Sequence, residues 1–223
     1  MSPLKLPPGP WLVFAPHPDD ETFGMGGAIA LASNQDVWVE VVVMTGGEGA
    51  GEAQTRREEC RQAGEVLGID RHHFWSLPDR GVGQTKVVSA EVISLVDSLA
   101  PQTVFLPGIQ EYHPDHRATT RLIWDGLRAA RYAGSVWLYE ITRQNEANRL
   151  VDITSVLETK KLAMQCYQSQ LAQMDYEDIV LGLNRIRSYT LGADRNYAEA
   201  FWACHIPAQL LHELEMRFQK YLV

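Results

Sequence analysis

Residues 11–21 have the sequence WLVFAPHPDDE, in which an apolar run is followed directly by one histidine and three carboxylates. The run at 11–14 predicts a fully buried strand, and residues 22–32 predict a helix that begins where the acidic residues end. Carboxylates repel one another, so a fold does not gather three of them for stability alone. A bound cation would relieve this repulsion, and the imidazole of His17 is a ligand that zinc and similar metals favour.

Strands and helices alternate outward from this point. Apolar runs predict strands at residues 37–44, 73–75, 103–106 and 136–139. Apolar residues at helical spacing predict helices at 56–67, at 90–99 with Ser89 as its cap, and after His116. Such alternation implies parallel strands joined by right-handed crossovers. The predicted fold class is therefore α/β: a Rossmann-like, mostly parallel sheet flanked by helices, with a C-terminal extension.

The last third of the chain has a less regular pattern. Helices are predicted at residues 157–173 and 210–221, whereas residues 176–196 show no strong period. No internal repeat, low-complexity tract or clear linker divides the sequence. We therefore expect a single domain over residues 1–223, in which the part from about residue 150 to residue 223 completes the pocket.

Composition limits the classes of function. The chain has 223 residues and a formal net charge of −8, which argues against a broad basic surface for nucleic acid. Its three cysteines lie far apart, which argues against a disulfide framework and fits a reducing compartment. The N-terminus lacks the apolar core of a signal peptide, and no apolar run is long enough to span a bilayer. A cytoplasmic protein with no nucleic-acid partner and no membrane span is therefore expected.

A second polar cluster, HPDH at residues 113–116, follows the strand predicted at 103–106. In parallel sheets, ligands bind beyond the carboxyl ends of the strands, so both clusters are expected at one rim. His113 and His116 are three residues apart and would share one face of a helical turn. Either cluster alone has a plain alternative, a helix N-cap for the aspartates or a solvated surface for the histidines. Together they predict a shared metal site.

The side chains expected at this rim suit hydrolysis. His17, Asp20 and one histidine of the second cluster form a set of two imidazoles and one carboxylate, and catalytic zinc takes three protein ligands plus water. Zinc lowers the pKa of that water to about 7. Asp19 would accept the proton and return it to a leaving amine, and the remaining histidine would stabilise the oxyanion or protonate the leaving group. The predicted reaction is hydrolysis of a carbonyl compound, most naturally an amide.

The two clusters resemble the motifs of the PIG-L, or LmbE-like, family of zinc-dependent N-acetylglucosaminyl deacetylases. The similarity continues in the glycines at 26–27, TGGEG at 45–49, RREE at 56–59 and LPD at 77–79, and more weakly in YQSQ at 167–170 and AEAF at 198–201. It covers most of the first ~140 residues in motif order. The resemblance implies one zinc ion per chain, with another divalent metal as an alternative, and a small amino-sugar substrate.

The resemblance also implies a role for each matching position. Zinc would be bound by His17, Asp20 and His116; Asp19 would be the general base; His113 would assist at the transition state, with Asp115 orienting it; and Arg56 and Asp79 would contact the sugar. Alternatives stay open for two of these residues, because an arginine at a helix start is usually solvated and aspartate is common in turns. Glu21 would support the helix start. Glu111 stands where some relatives carry a tyrosine that holds the oxyanion, and Tyr112 is its neighbour.

The expected function is removal of an N-acetyl group from an N-acetylglucosamine-type amino sugar or conjugate by a zinc-dependent hydrolase. Two alternatives stay open: a zinc amidase that acts on another small N-acyl compound, and a non-catalytic, metal-containing sugar-binding protein. Asp19 argues against the second alternative, since a binding module needs no spare base. The sequence is compatible with a homo-oligomer and does not identify the aglycone.

Overall fold

A seven-stranded sheet forms the centre of the computed structural model, which describes residues 5–85 and 88–205. The strands, in chain order, are β1 (Trp11–Ala15), β2 (Val39–Thr45), β3 (Arg71–Leu77), β4 (Thr103–Pro107), β5 (Ser135–Tyr139), β6 (Arg149–Asp152) and β7 (Ala198–His205). They lie side by side in the order β3-β2-β1-β4-β5-β7-β6. The first five strands are parallel, and β7 runs antiparallel to both β5 and β6.

Helices cover both faces of this sheet. They are α1 (Asp20–Ser33), α2 (Ala53–Leu67), α3 (Ser89–Leu99), α4 (Pro114–Ala129), α5 (Leu157–Met164), α6 (Gln168–Leu171) and α7 (Tyr176–Arg187). α1 contacts α2 and α5 on one face, and α3 packs against α4 on the other. In β1, Trp11 and Val13 belong to the first core and Leu12 and Phe14 to the second, and all four are fully buried. The predicted α/β class with a mostly parallel sheet is confirmed.

The last third of the chain differs from the sequence prediction. The helix predicted at 157–173 is two helices, α5 and α6, because Tyr167 between them leaves the helical conformation (φ −87°, ψ 58°) and is fully buried. α7 lies within residues 176–196, for which no helix was predicted. The unpredicted strands β6 and β7 extend the sheet beyond β5. The C-terminal extension is therefore built into the same sheet as the first half.

Helix starts also differ from the prediction. The helix expected after His116 begins at Pro114, with His113 as its N-cap. Ser89 is the first residue of α3 rather than its cap. The helix predicted at 210–221 lies outside the residues that the structure describes. No helix in the described part of the chain is both long and apolar enough to cross a bilayer.

α1 is kinked, and the C-terminal part of the chain holds the kink. Met25 leaves the helical conformation (φ −143°, ψ 20°), which frees backbone groups on both sides of it. Glu199 of β7 accepts hydrogen bonds from the amide of Gly27 at 2.8 Å and from the next amide at 2.7 Å. Lys160 of α5 donates to the carbonyl of Phe23 at 2.9 Å and to Glu199 Oε1 at 2.7 Å. A fully buried ion pair thus provides hydrogen-bond partners for the backbone groups freed at the kink, and it fixes the direction of the first turn of α1.

Candidate metal and catalytic site

The two polar clusters meet in one cleft of about 320 Å³. β1 and β4 are adjacent parallel strands, so the chain leaves both at the same edge of the sheet. Seven of the eight predicted site residues line the cleft: His17, Asp19, Asp20, Arg56, Asp79, His113 and His116. The eighth, Asp115, contacts His17, with its Oδ2 lying 3.5 Å from His17 Nε2.

One carboxylate oxygen lies between two imidazoles. Asp20 Oδ2 is 3.1 Å from His17 Nδ1 and 3.3 Å from His116 Nε2. All three side chains are buried. Two imidazole nitrogens and one carboxylate oxygen brought together in this way are the donor set that catalytic zinc sites use.

The ring of His113 brings a third imidazole nitrogen close to those of His17 and His116. Ligand nitrogens of His17, His113 and His116 all lie within 4.8 Å of one another. His113 Nδ1 accepts a hydrogen bond from the amide of Asp115 at 3.2 Å, which leaves Nε2 as its available nitrogen. Besides the set completed by Asp20, the three imidazoles form a second set of donors, and His17, Asp79, His113 and Asp115 form a further group whose ligand atoms lie within 4.8 Å of one another.

The charges of these groups are strongly coupled. Burial alone would lower the pKa of His17 and of His116, but neighbouring carboxylates raise both pKa values, that of His116 to about 9. Burial alone would raise the pKa of Asp20, yet the two imidazoles hold it well below its usual range. The raised pKa values favour a proton on each imidazole when no metal is bound, and a divalent cation would replace those protons.

Asp19 sits beside this cluster in a rare backbone conformation. Its φ of 143° and ψ of −28° lie in a region that residues with a side chain seldom adopt. Such a conformation costs roughly 1–3 kcal/mol and is found mainly at functional sites. Asp19 Oδ2 accepts a hydrogen bond from Arg56 Nη2 at 2.8 Å. Burial raises the pKa of Asp19 to about 7, against the opposing effect of the Arg56 guanidinium.

Arg56 lies under the cleft rather than on the outer surface. The residue is only 3% exposed, which excludes the solvated alternative. Its guanidinium also donates to the carbonyl of Gly47 at 2.7 Å and to that of Pro18 at 3.1 Å. It thereby ties the loop after β2 to the loop after β1. The guanidinium also lines the cleft, and its contact with a sugar remains a prediction.

Two further aspartates approach the outer nitrogen of His17. Asp79 Oδ1 lies 3.3 Å from His17 Nε2, opposite the side that faces Asp20. The carboxylate of Asp115 also approaches His17 and accepts the amide of Arg80, so it contacts His17 rather than His113. Both carboxylates are therefore placed to orient His17. Contact of Asp79 with a sugar remains a prediction.

Glu21 points away from the cleft. It is completely buried, and its Oε1 accepts hydrogen bonds from the hydroxyl of Tyr167 at 2.8 Å and from that of Thr22 at 3.0 Å. Burial raises its pKa. Glu21 therefore links the start of α1 to the segment between α5 and α6.

Glu111 also belongs to this site. The sequence analysis gave it no role and noted only that some relatives carry a tyrosine at its position. It is 1% exposed, and its Oε2 lies 3.7 Å from His116 Nδ1. Its carboxylate also accepts hydrogen bonds from the amides of Ile141 and Thr142 at 3.0 and 3.1 Å, and these bonds fix the loop after β5. Tyr112 is 68% exposed and does not line the cleft. Glu111 therefore stands behind His116, where a carboxylate commonly sets the orientation of a metal-binding imidazole.

Part of the cleft lining consists of aliphatic and aromatic side chains, which we call the apolar wall. It consists of Phe23, Ile141, Met174, Tyr176, Ile179 and Val180. Four of these come from the turn before α7 and from α7 itself. The C-terminal part of the chain thus contributes to the cleft that holds the two motifs.

Comparisons with known proteins place the chain in a family. Residues 12–127 match the family model described as PIG-L: GlcNAc-PI de-N-acetylase. The chain is 27% identical to diacetylchitobiose deacetylase of Thermococcus kodakarensis, over 74% of this chain and 72% of that one. The solved structure of N,N'-diacetylchitobiose deacetylase from Pyrococcus horikoshii, complexed with its inhibitor MPG, superposes with a TM-score of 0.75 at 25% identity, covering 87% of this chain and 83% of that chain.

One relative carries the name of a different activity. It is 4-oxalmesaconate hydratase of Pseudomonas putida, which is 25% identical over 88% of this chain and 89% of its own length.

The residues matched by the family model span just over half of the chain and include both histidine motifs. The chain therefore belongs to the PIG-L, or LmbE-like, family of N-deacetylase hydrolases.

Proposed function

We propose that this protein is a zinc-dependent hydrolase that removes the N-acetyl group from an N-acetylglucosamine-type amino sugar or its conjugate. The observation that carries the proposal is the position of Asp20 Oδ2 between His17 Nδ1 and His116 Nε2, with the carboxylate of Asp19 beside them in the same cleft. The names of the deacetylase relatives support the substrate class.

The metal ligands in this proposal are His17, Asp20 and His116. Asp20 is preferred to His113 as the third ligand, because its oxygen contacts both buried imidazoles, whereas His113 is partly exposed and caps α4. One zinc ion would be bound per chain. When bound, zinc polarises the acetamide carbonyl and activates water at neutral pH.

The remaining groups supply proton transfer and orientation. Asp19 takes the proton of the attacking water and delivers it to the amine nitrogen as the C–N bond breaks, which yields acetate and a free amine. Arg56 holds the carboxylate of Asp19 in place through Oδ2. His113 donates from Nε2 to the carbonyl oxygen as that atom becomes an oxyanion. Asp115 and Asp79 fix the ring of His17.

We further propose that residues 1–223 act as one domain, in which the part beyond residue 150 completes the substrate pocket. The support is that α7 and the turn before it line the cleft, while β7 pairs with β5 in the same sheet.

A direct assay tests the function. Purified protein with its zinc content measured is offered N-acetylglucosamine conjugates, N-acetylated amino acids and unsaturated dicarboxylic acids. Release of acetate and amine from the sugar conjugates is the expected result. Release from the amino acids alone favours a general amidase, and hydration of the unsaturated acids favours a hydratase. With one equivalent of zinc bound, an absence of all products would leave only a binding role.

Two neighbouring substitutions test the assignment of roles. Asp19→Asn is expected to keep one equivalent of zinc and lose turnover by roughly 10²- to 10⁴-fold. Asp20→Asn is expected to lose the zinc itself, measured by atomic absorption after dialysis. If Asp19→Asn loses zinc while Asp20→Asn keeps it, the two aspartates have been assigned in the wrong order.

A further inference from the structure

A second group of metal-type donors lies outside the cleft. A carboxylate oxygen of Glu21, Sγ of Cys60 and a ring nitrogen of His72 all lie within 4.8 Å of one another. The three residues come from the first turn of α1, the middle of α2 and the start of β3. None of them lines the cleft, so the metal proposed there does not use them. We call these three residues the inner cluster.

Hydrogen bonds account for only part of the inner cluster. Glu21 and Cys60 are fully buried, and Cys60 Sγ lies 3.6 Å from Glu21 Oε1, the oxygen that also accepts the hydroxyl of Tyr167. Glu21 Oε2 and His72 Nε2 are buried too, yet neither has a hydrogen-bond partner within residues 5–85 and 88–205. Unpaired buried polar atoms are rare in folded proteins, and a bound ion is one of the few reasons for them.

Gly64 gives the imidazole of His72 its place against α2. An alanine methyl at that position would overlap the ring, since it would lie 2.9 Å from His72 Nε2 and closer still to Cε1. Cys60 and Gly64 are four residues apart on α2 and therefore share one face of the helix. The edge of the ring that carries Nε2 is thus directed at the face of α2 that presents the thiol.

The donors of the inner cluster suit a divalent cation of the zinc type. Thiolate, imidazole and carboxylate are all ligands of zinc, and its bond lengths of ~2.0–2.3 Å place ligand atoms roughly 3–4 Å apart. A thiolate and a carboxylate together cancel the two charges of the ion, which lowers the cost of burying it. Burial and the nearby Arg61 guanidinium lower the pKa of His72 to about 4, so the ring is neutral at pH 7, as a ligand must be.

We propose that the inner cluster is a second metal site, in which Glu21, Cys60 and His72 bind one zinc-type divalent cation. This ion would join α1, α2 and β3 and is additional to the ion proposed in the cleft. Its binding must displace the thiol proton of Cys60, and burial raises the pKa of that thiol well above its usual value. The site therefore fills only when the cation is in excess, and protein dialysed to one equivalent keeps its ion in the cleft.

Cobalt(II) is the probe, because a cobalt–thiolate bond absorbs strongly in the near ultraviolet, whereas the nitrogen and oxygen donors of the cleft give no such band. The full chain, freed of metal with a chelator, is titrated with cobalt alone at mildly alkaline pH while absorption and bound metal are followed. The expected result is a first equivalent without the thiolate band and a second equivalent with it. In Asp20→Asn, which weakens the cleft site, the band should still appear.

Three substitutions assign the band to its residues. Cys60→Ser should abolish the band and the second equivalent, because a hydroxyl is a poor ligand for these cations. His72→Gln should also lose the second equivalent. Cys166→Ser is the matched control, since Cys166 lies outside the inner cluster with its Sγ 3.5 Å from the carbonyl of Leu162, and it should keep both. Retention of the first equivalent shows that each variant has folded.

A titration that ends after the first equivalent, with no thiolate band, would overturn the second site. A band that survives in Cys60→Ser, or disappears in Cys166→Ser, would do the same, because the thiolate would then lie outside the inner cluster. His72 is only partly buried, so His72→Gln decides the matter if Cys60→Ser fails to fold. An unchanged affinity for the second equivalent in His72→Gln would contradict the proposed ligand set.

Discussion

Arg56 donates from Nη2 to Asp19 Oδ2 at 2.8 Å, and both side chains are buried. The same guanidinium holds the carbonyls of Pro18 and Gly47. One planar cation therefore fixes the carboxylate of Asp19 and the backbone on either side of the cleft floor. A lysine carries the charge but cannot make these contacts together, because its ammonium lacks the fork geometry of the guanidinium.

Arg56→Lys is therefore expected to lower kcat by roughly 10- to 100-fold while the zinc content stays at one equivalent. Arg57→Lys is the matched control, since Arg57 lies over the ring of Phe74 at 4.5 Å and does not line the cleft. Steady-state kinetics and metal analysis of the two variants decide the matter. Loss of zinc from Arg56→Lys would mean that the guanidinium supports the ligands rather than the base.

Zinc binding should release protons. Both His17 and His116 have raised pKa values in the metal-free protein, that of His116 about 9, so both imidazoles carry a proton at pH 7. A metal ligand must be neutral, so binding at pH 7 is expected to release about two protons. Affinity should rise with pH until the higher of the two pKa values is passed. Calorimetry in buffers of different ionisation enthalpy measures the count, and heats that are independent of the buffer would contradict it.

Removal of one partner from the buried ion pair of Lys160 and Glu199 should lower the stability of the protein strongly. Lys160→Met leaves the carboxylate of Glu199 without its cation in a fully buried place, and is expected to cost about 3–5 kcal/mol in the free energy of unfolding. Lys161→Met is the control, because Lys161 pairs with the exposed Glu158 at 3.5 Å and should change stability by less than about 0.5 kcal/mol. Urea unfolding of the metal-free proteins measures both values. Equal stabilities would show that the pair adds nothing to the kink of α1.

Glu111 should affect the metal without touching it. Glu111→Gln keeps the shape of the side chain but removes the charge that faces His116 Nδ1. We expect zinc affinity to fall roughly 10- to 100-fold. Asp125→Asn on the same helix as His116 serves as control, since that carboxylate is 71% exposed. Competition with a zinc chelator reports the affinities, and unchanged binding in Glu111→Gln would show that the carboxylate serves only the loop after β5.

The metal and base residues could be predicted because parallel topology does most of the placement. Adjacent strands β1 and β4 end at one edge, so two motifs nearly a hundred residues apart in sequence meet without any knowledge of loop conformation. The apolar runs that mark these strands are short and fully buried, which makes their pattern easy to recognise.

The groups around the motifs could not be predicted in the same way. The burial of Arg56 depends on how the loop after β2 closes over it, and the role of Glu111 depends on amides that come from beyond β5. α7 was not predicted, although Tyr176, Ile179, Val180 and Leu183 stand at helical spacing. The sequence does not reveal that part of this helix faces the cleft, since Ile179 is half exposed while Val180 is buried.

The apolar wall also divides the molecule by origin. All of the groups proposed to react or to bind zinc lie between residues 17 and 116, whereas most of the wall is contributed by a single surface turn and the first two turns of α7. Substitutions within residues 174–180 are therefore expected to change which substrates bind while leaving the proposed metal and base residues in place. Substrate selectivity could therefore be changed within this short segment while the proposed metal ligands and general base stay unchanged.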